Sequence, residues 1–205
     1  MSNSESRAMP RVLALSDGVY AIAMTLLVLE VAVPQIVQSE LFNQLADLSF
    51  KLLIYAISFV ILGIYWVAHH YMFRVFRHAN YTLMWINIAH LMVVALIPFA
   101  AAFISQYPRA QFAVVFYGAI LGFAAAILYV MWWYAAKGHR LVVPDLPPGL
   151  ERYIRRRLAA GPLVTLLAIA ISFVSVEASI ALYAILPPAY ILQGGIDRFF
   201  PEPPA

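Results

Sequence analysis

Residues Arg11 to Pro34, RVLALSDGVYAIAMTLLVLEVAVP, decide the fold. From Val12 to Val33 the run is apolar and long enough to cross roughly 30 Å of hydrocarbon as a helix, because about 20 residues rising about 1.5 Å each suffice. Ser16 and Asp17 interrupt it near one end. A carboxylate at the bilayer centre costs on the order of 2.5–3.5 kcal/mol, and less toward an end, so Asp17 needs partners from other helices. Leu15, Val19, Ile22, Leu26, Leu29 and Val33 recur at steps of three and four and form one aliphatic stripe. Asp17 lies about 140° around the helix from Ile22. A lone lipid-facing anchor gives no reason for this segregation. In a bundle the polar face looks into protein, and the stripe faces lipid, another helix or a symmetry axis.

The composition around this stretch agrees with it. The chain of 205 residues is 64% hydrophobic and 11% charged, with mean hydropathy +0.84. Soluble domains run at about 45–50% apolar residues, so this is an integral membrane protein. Cysteine is absent, which excludes disulfides, thiolate nucleophiles and cysteine metal sites. The first run is too long, and too interrupted by Asp17, for the roughly 7–15-residue apolar region of a cleaved signal, so it is expected to stay in the mature protein.

Six spans are expected within a single membrane domain over residues 1–205, at about 12–33, 52–73, 81–104, 112–135, 158–174 and 178–194. Residues 1–10 read as a polar tail ending at Pro10, and residues 35–51 as a short interfacial helix before the second span. Pro98 falls inside the third span. Gly118, Gly122 and the alanines at 124–126 give the fourth span small residues that permit close helix approach. The stretch KGHRLVVPDLPPGLERYIRRR, residues 137–157, reads as a loop leading into an amphipathic helix start. Ser175, Glu177 and Ser179 mark a turn that divides the last apolar run in two.

Charge orients these spans. With six crossings both termini share one side. That side collects Arg7, Arg11, Arg74, Arg77, Lys137, Arg140, Arg152, Arg155, Arg156, Arg157 and Arg198, eleven of the thirteen basic residues. Only Lys51 and Arg109 fall opposite. The positive-inside rule places both termini in the cytoplasm of a multi-pass cell-membrane protein.

Asp17, Trp66, His70 and Asn87 fall at similar depth, so Asp17 is expected to accept hydrogen bonds from Trp66 Nε1, a histidine or Asn87. Such a network is structural, although a proton relay would use the same residues. His69 and His70 are adjacent and point about 100° apart, and His90 adds no carboxylate or thiolate, so no metal site is expected. No nucleophile–base arrangement, phosphate loop or redox motif appears, and no cofactor or enzymatic activity is expected. The basic run at 152–157 reads first as a positive-inside flank, with anionic-lipid contact the lesser reading. Nothing else supports nucleic-acid binding. Glu30 has two readings: a carboxylate reaching the polar interface, or one member of a ring that concentrates cations at a pore mouth.

The first stretch closely resembles a family signature. Arg11, Leu15, Ser16, Asp17, Val19, Ala21 to Ala23, Thr25 to Leu29 and Glu30 follow the first-helix pattern of the transmembrane protein 175 family of potassium channels. WVAHHYMF at 66–73, and Asn87 followed by IPF at 97–99, resemble that family's second and third helices. Leu15 departs from the family's usual phenylalanine, which is expected to alter stability or gating more than identity. The resemblance implies a bacterial-type, all-α membrane channel of six transmembrane helices per chain. It further implies a homotetramer in the lipid bilayer, with the first helices lining a central pore. No TVGYG carbonyl filter is present, and the resemblance places the constriction on Ile22, Leu26 and Leu29. It assigns potassium selectivity to Thr25 and a structural network to Arg11, Ser16, Asp17, Trp66, His70 and Asn87. Potassium ions would be the permeant species.

Three functions remain open at this point. The first is passive potassium conduction through a hydrophobic constriction that gates by dewetting. The second is a proton-coupled transporter or proton pathway using Asp17 and the nearby histidines, which calls for broken helices near the midplane. The third is a scaffold in which the stripe merely packs.

Overall fold

The computed structural model describes residues 3–29, 31 and 41–192. These form helices α1 Asn3–Leu29, α2 Leu41–Arg74, α3 Tyr81–Val94, α4 Ile97–Gln106, α5 Gln111–Ala136, α6 Pro148–Ser172 and α7 Val176–Leu192. Among the described residues, four stretches are long and apolar enough to cross a bilayer: Met9–Leu29, Leu48–Arg74, Tyr81–Gln106 and Gln111–His139. The chain is an all-helical, multi-pass membrane protein.

Local chemistry explains where the helices differ from expectation. Pro10 does not start α1 but lies inside it. A proline there removes the hydrogen bond to the carbonyl four residues earlier. The expected interfacial helix at 35–51 is not separate where it is described. Residues 41–51 are the opening turns of α2, because no glycine or proline between Leu41 and Leu62 breaks the ladder. Residues 35–40 lie outside the described residues. The third apolar stretch is broken into α3 and α4. Pro98 has no N–H to continue the ladder, and Leu96 N closes a tighter bond to Val93 O at 3.0 Å. The helix that carries the span expected from 158 starts at Pro148, inside the stretch read as an amphipathic helix start, and the fixed φ of that proline suits a first turn. Ser175 caps α7, its hydroxyl accepting from Ala178 N at 3.1 Å.

α5 is the packing centre, touching α3, α4, α6 and α7, while α1 lies against α2, α3 and α4. Small residues bring α5 and α6 together. A Cβ on Gly122 would stand 2.8 Å from Thr165 Oγ1, and one on Gly161 would stand 2.9 Å from Ala125 Cβ. Gly118 is overlaid by Tyr183 of α7 and by Ile169. Two hydroxyl bonds tie α2 to α5: Ser58 with Tyr117 at 2.8 Å, and Tyr65 donating to Leu121 O at 3.0 Å.

The loops at the basic end clasp one another. Arg77 N donates to Leu141 O at 2.8 Å and Val143 N to Val75 O at 3.0 Å, while Phe76 stacks on Trp132 of α5. Gly138, at φ 65°, makes the left-handed turn that ends α5. Asn80 caps α3 by accepting from Leu83 N at 2.9 Å, and its amide donates to Tyr134 OH at 2.9 Å. The α2–α3 and α5–α6 connections are therefore tied to each other.

Gly122→Val is expected to destabilise the fold by about 1–3 kcal/mol through overpacking against Thr165, lowering the melting temperature in detergent by several degrees. Gly63→Ala is the control, since a Cβ there meets nothing nearer than Met24 Cε at 4.0 Å. Equal melting of both variants would contradict the close α5–α6 contact.

Candidate functional site

Helix α1 has two faces. Val12, Ser16, Tyr20, Ala23 and Leu27 recur at steps of three and four and are buried. The opposite side keeps Leu15 at 52% exposure, Ile22 at 60%, Leu26 at 40% and Leu29 at 71%. The predicted stripe is not uniform, because Val19 is partly buried and packs against the core. Thr25 is exposed between Ile22 and Leu29, and its hydroxyl donates to Ile22 O at 2.9 Å. That bond spends the proton and leaves oxygen lone pairs facing outward.

Hydrogen bonds set this rotation. Asn87 Nδ2 of α3 donates to Ser16 Oγ at 3.0 Å, and the Ser16 hydroxyl donates in turn to Val12 O at 2.9 Å. With its amide nitrogen so used, Asn87 accepts through Oδ1 from His69 Nε2 of α2 at 2.9 Å. One turn along α1, Tyr20 OH lies 2.6 Å from His90 Nε2, and His90 Nδ1 lies 3.1 Å from Ala124 O of α5. A carbonyl only accepts, so Nδ1 carries the proton and Nε2 accepts from Tyr20. The rings of His69 and His90 are nearly parallel, 6.2 Å apart, and Phe73 stacks on His69 at 4.3 Å. Ser16, Tyr20, His69, Asn87 and His90 are each at most 1% exposed. Each bond lost there strands a group that costs about 1–3 kcal/mol unsatisfied.

Asp17 stands apart from this buried set. It is exposed on the single chain, and Trp66 Nε1 donates to its Oδ1 at 2.8 Å. His70, expected in the network, is corrected to its rim. It is exposed, with its ring 5.7 Å from that of Trp66, while the buried bond to Asn87 belongs to its neighbour His69. Neighbouring residues on a helix point about 100° apart, so only one of the two histidines turns inward. Asn87 reaches Ser16 and not Asp17. Arg11 is exposed, and Glu30 lies outside the described residues. Among the described residues the hydrogen-bond donor to Asp17 is this indole N–H, which has no acceptor capacity. Among the described residues, no group of three or more His, Cys, Asp or Glu side chains is placed to hold a metal ion.

Three network members, Tyr20, His69 and His90, go beyond the predicted set. Spacing carries the signal: Tyr20 follows Ser16 by four and His90 follows Asn87 by three, so each shares a helix face with a polar residue already singled out.

Comparison with known proteins extends this geometry. Residues 11–98 match the sequence profile of the family described as "Endosomal/lysosomal potassium channel TMEM175". The chain is 33% identical over 181 residues to a potassium channel of Streptomyces collinus, covering 86% of this chain and 88% of that one. It is 33% identical over 189 residues to a potassium channel of Chamaesiphon minutus, covering 89% and 93%. Its fold superposes with a TM-score of 0.81 on the crystal structure of a lysosomal potassium-selective channel TMEM175 homolog from Chamaesiphon minutus. That match has 32% identity and covers 91% of this chain and 98% of the other.

Asn87→Leu, which strands both Ser16 and His69, is expected to destabilise the protein by at least about 2 kcal/mol. Trp66→Phe, which removes one partly solvated bond, should cost about 0.5–1.5 kcal/mol. Denaturant titration in detergent measures both, and a larger effect at Trp66 would contradict the anchoring role of Asn87.

Proposed function

We propose that this chain, which belongs to the TMEM175 family of potassium channels, conducts potassium passively across a membrane through a pore lined by α1 from several copies. The observation that carries this reading is the division of α1. One face is pinned into the chain by Ser16 and Tyr20, and the other presents Ile22, Leu26 and Leu29 to whatever lies beyond it. In a homotetramer those side chains form stacked aliphatic rings, narrow enough to expel water and so gate conduction by dewetting. Thr25 lies between them, and a ring of its oxygens offers potassium the polar contact that the aliphatic rings deny. Glu30 would supply negative charge at the mouth.

Passive conduction calls for no cofactor, and the family is one of channels, not enzymes. In this reading α3 and α4 make one broken crossing, and α6 and α7 complete six. Arg74, Arg77, Lys137, Arg140 and the arginines at 152–157 mark the cytoplasmic side of the cell membrane, together with both termini. The polar network, with His69 as its buried histidine and Arg11, Asp17, Trp66 and His70 at its rim, holds the pore helices in register.

The proton-relay reading has less support. It requires Asp17 to exchange protons with a histidine, whereas the partner of Asp17 is an indole N–H.

The test is potassium flux from proteoliposomes holding the purified oligomer, with sodium-loaded vesicles and a proton ionophore alone as controls. Potassium is expected to move down its gradient without a coupled ion. Ile22→Asn is expected to raise the flux, roughly tenfold for each 1.4 kcal/mol removed from the barrier. Unchanged flux from a folded Ile22→Asn oligomer would contradict the constriction.

A further inference from the structure

A groove of about 530 Å³ lies between α2 and the pair α6 and α7. Phe59, Trp66 and Val67 of α2 and Ile191 of α7 line it, and each is exposed in the folded chain. Between Phe59 and Tyr71, which both line it, the groove follows about 18 Å of α2. Its α6 and α7 walls are tied together at the basic end. Arg157 of α6 donates from Nη1 to Tyr153 OH at 2.8 Å and from Nη2 to Tyr190 O of α7 at 2.6 Å. That end is aromatic as well as apolar, because Trp66, Tyr71, Tyr153 and Tyr190 all line the groove.

The chain beyond α7 leaves from the groove's own wall. Ile191 lines the groove and α7 runs to Leu192. The sequence continues as QGGIDRFFPEPPA over residues 193–205. Gly194 and Gly195 allow the backbone to reverse. Phe199 and Phe200 then follow Ile196 by three and four residues, a spacing that gathers the three on one side of a helical turn and leaves Arg198 on the other. Pro201 ends the pattern.

Apolar grooves beside helices take short segments through anchors at this i, i+3, i+4 spacing. From Ile191 to Phe199 the chain spans at most roughly 26–29 Å, so both phenylalanines reach the aromatic end of the groove. Tethering holds them near it at about millimolar effective concentration, which a separate copy of the chain lacks. A lipid acyl chain matches the apolar walls but gains none of the ring-to-ring contact open to Phe199 and Phe200 against Tyr71, Tyr153 and Tyr190.

We propose that residues 196–200 dock in this groove and strap α7 to α2. Trp66 lines the docking surface and donates to Asp17, so the strap also bears on α1. The absence of native cysteine permits a direct test with the intact chain in proteoliposomes. Val67→Cys places a thiol in the groove at an exposed position, where replacement leaves the fold intact, and Pro201→Cys keeps all three apolar anchors. A short bis-maleimide is then added, and mass spectrometry of the digested product separates links within a chain from links between chains. The control pairs Pro201→Cys with Tyr81→Cys, 72% exposed at the start of α3 and outside the groove. A link within one chain is expected at position 67 and not at 81. Adding Phe199→Asp and Phe200→Asp should lower its yield at least about tenfold, the ratio that burying one phenylalanine side chain is worth. Equal linking at position 81, links only between chains, no link at position 67 because lipid fills the groove, or a yield unchanged by the two aspartates would overturn the proposal.

Discussion

The rest of the structure depends on one constraint: inside an apolar bundle, each buried polar group must meet a partner. Asn87 satisfies it for two helices at once. It donates to Ser16 on α1 and accepts from His69 on α2, so neither helix turns about its axis without stranding a polar atom. The bond from Tyr20 to His90, one turn along, pins α1 a second time and passes the constraint through Ala124 to α5. Two anchors on one face of a helix fix its rotation.

That rotation has a consequence on the far side. Ile22 lies about 120° around α1 from Ser16, so fixing Ser16 inward turns Ile22 outward. Exposure alone says little in a membrane protein, since lipid is as apolar as leucine and many surface residues here are large and aliphatic. The separation of functions on α1 is more informative. Ser16 and Tyr20 are spent holding the helix to the bundle, and Ile22, Leu26 and Leu29 are left for another surface. α5 supplies the rigidity behind this arrangement, because glycine-mediated contact with α6 and the clasped loops at the basic end leave it little freedom. In the channel reading, the polar network is the frame of the pore and not its lining.

Much of this was legible in the sequence. Apolar runs of membrane length located the helices, since their period and length follow from the bilayer itself. The aliphatic stripe separated from Ser16 and Asp17 by helical arithmetic, and Trp66, which donates to Asp17, was one of the three partners expected for it. Ser175 lay at the predicted turn. The remainder depends on tertiary geometry that spacing does not encode. Depth along a helix does not say which of two adjacent histidines turns inward, so His70 was expected where His69 lies. Tyr20 and His90 were passed over because a tyrosine in an apolar run reads as packing until a partner on another helix is known. Val19 matched the stripe by period, yet α1 sits deeply enough among its neighbours to bury part of it. The start of α2 was misjudged because polarity at 41–51 suggested an interface, while the absence of glycine and proline allowed one continuous helix.

The central claim is that Ile22, Leu26 and Leu29 face a water-filled path while Tyr20, Ala23 and Leu27 face protein. The absence of native cysteine allows it to be tested without background substitutions. Single cysteines are placed at each of these six positions, and potassium current through the reconstituted protein is recorded while a charged, membrane-impermeant thiol reagent is applied. The account predicts rapid change in current at positions 22, 26 and 29 and none at 20, 23 and 27. Modification at the buried set, or indifference of the current at all three outward positions, would contradict it.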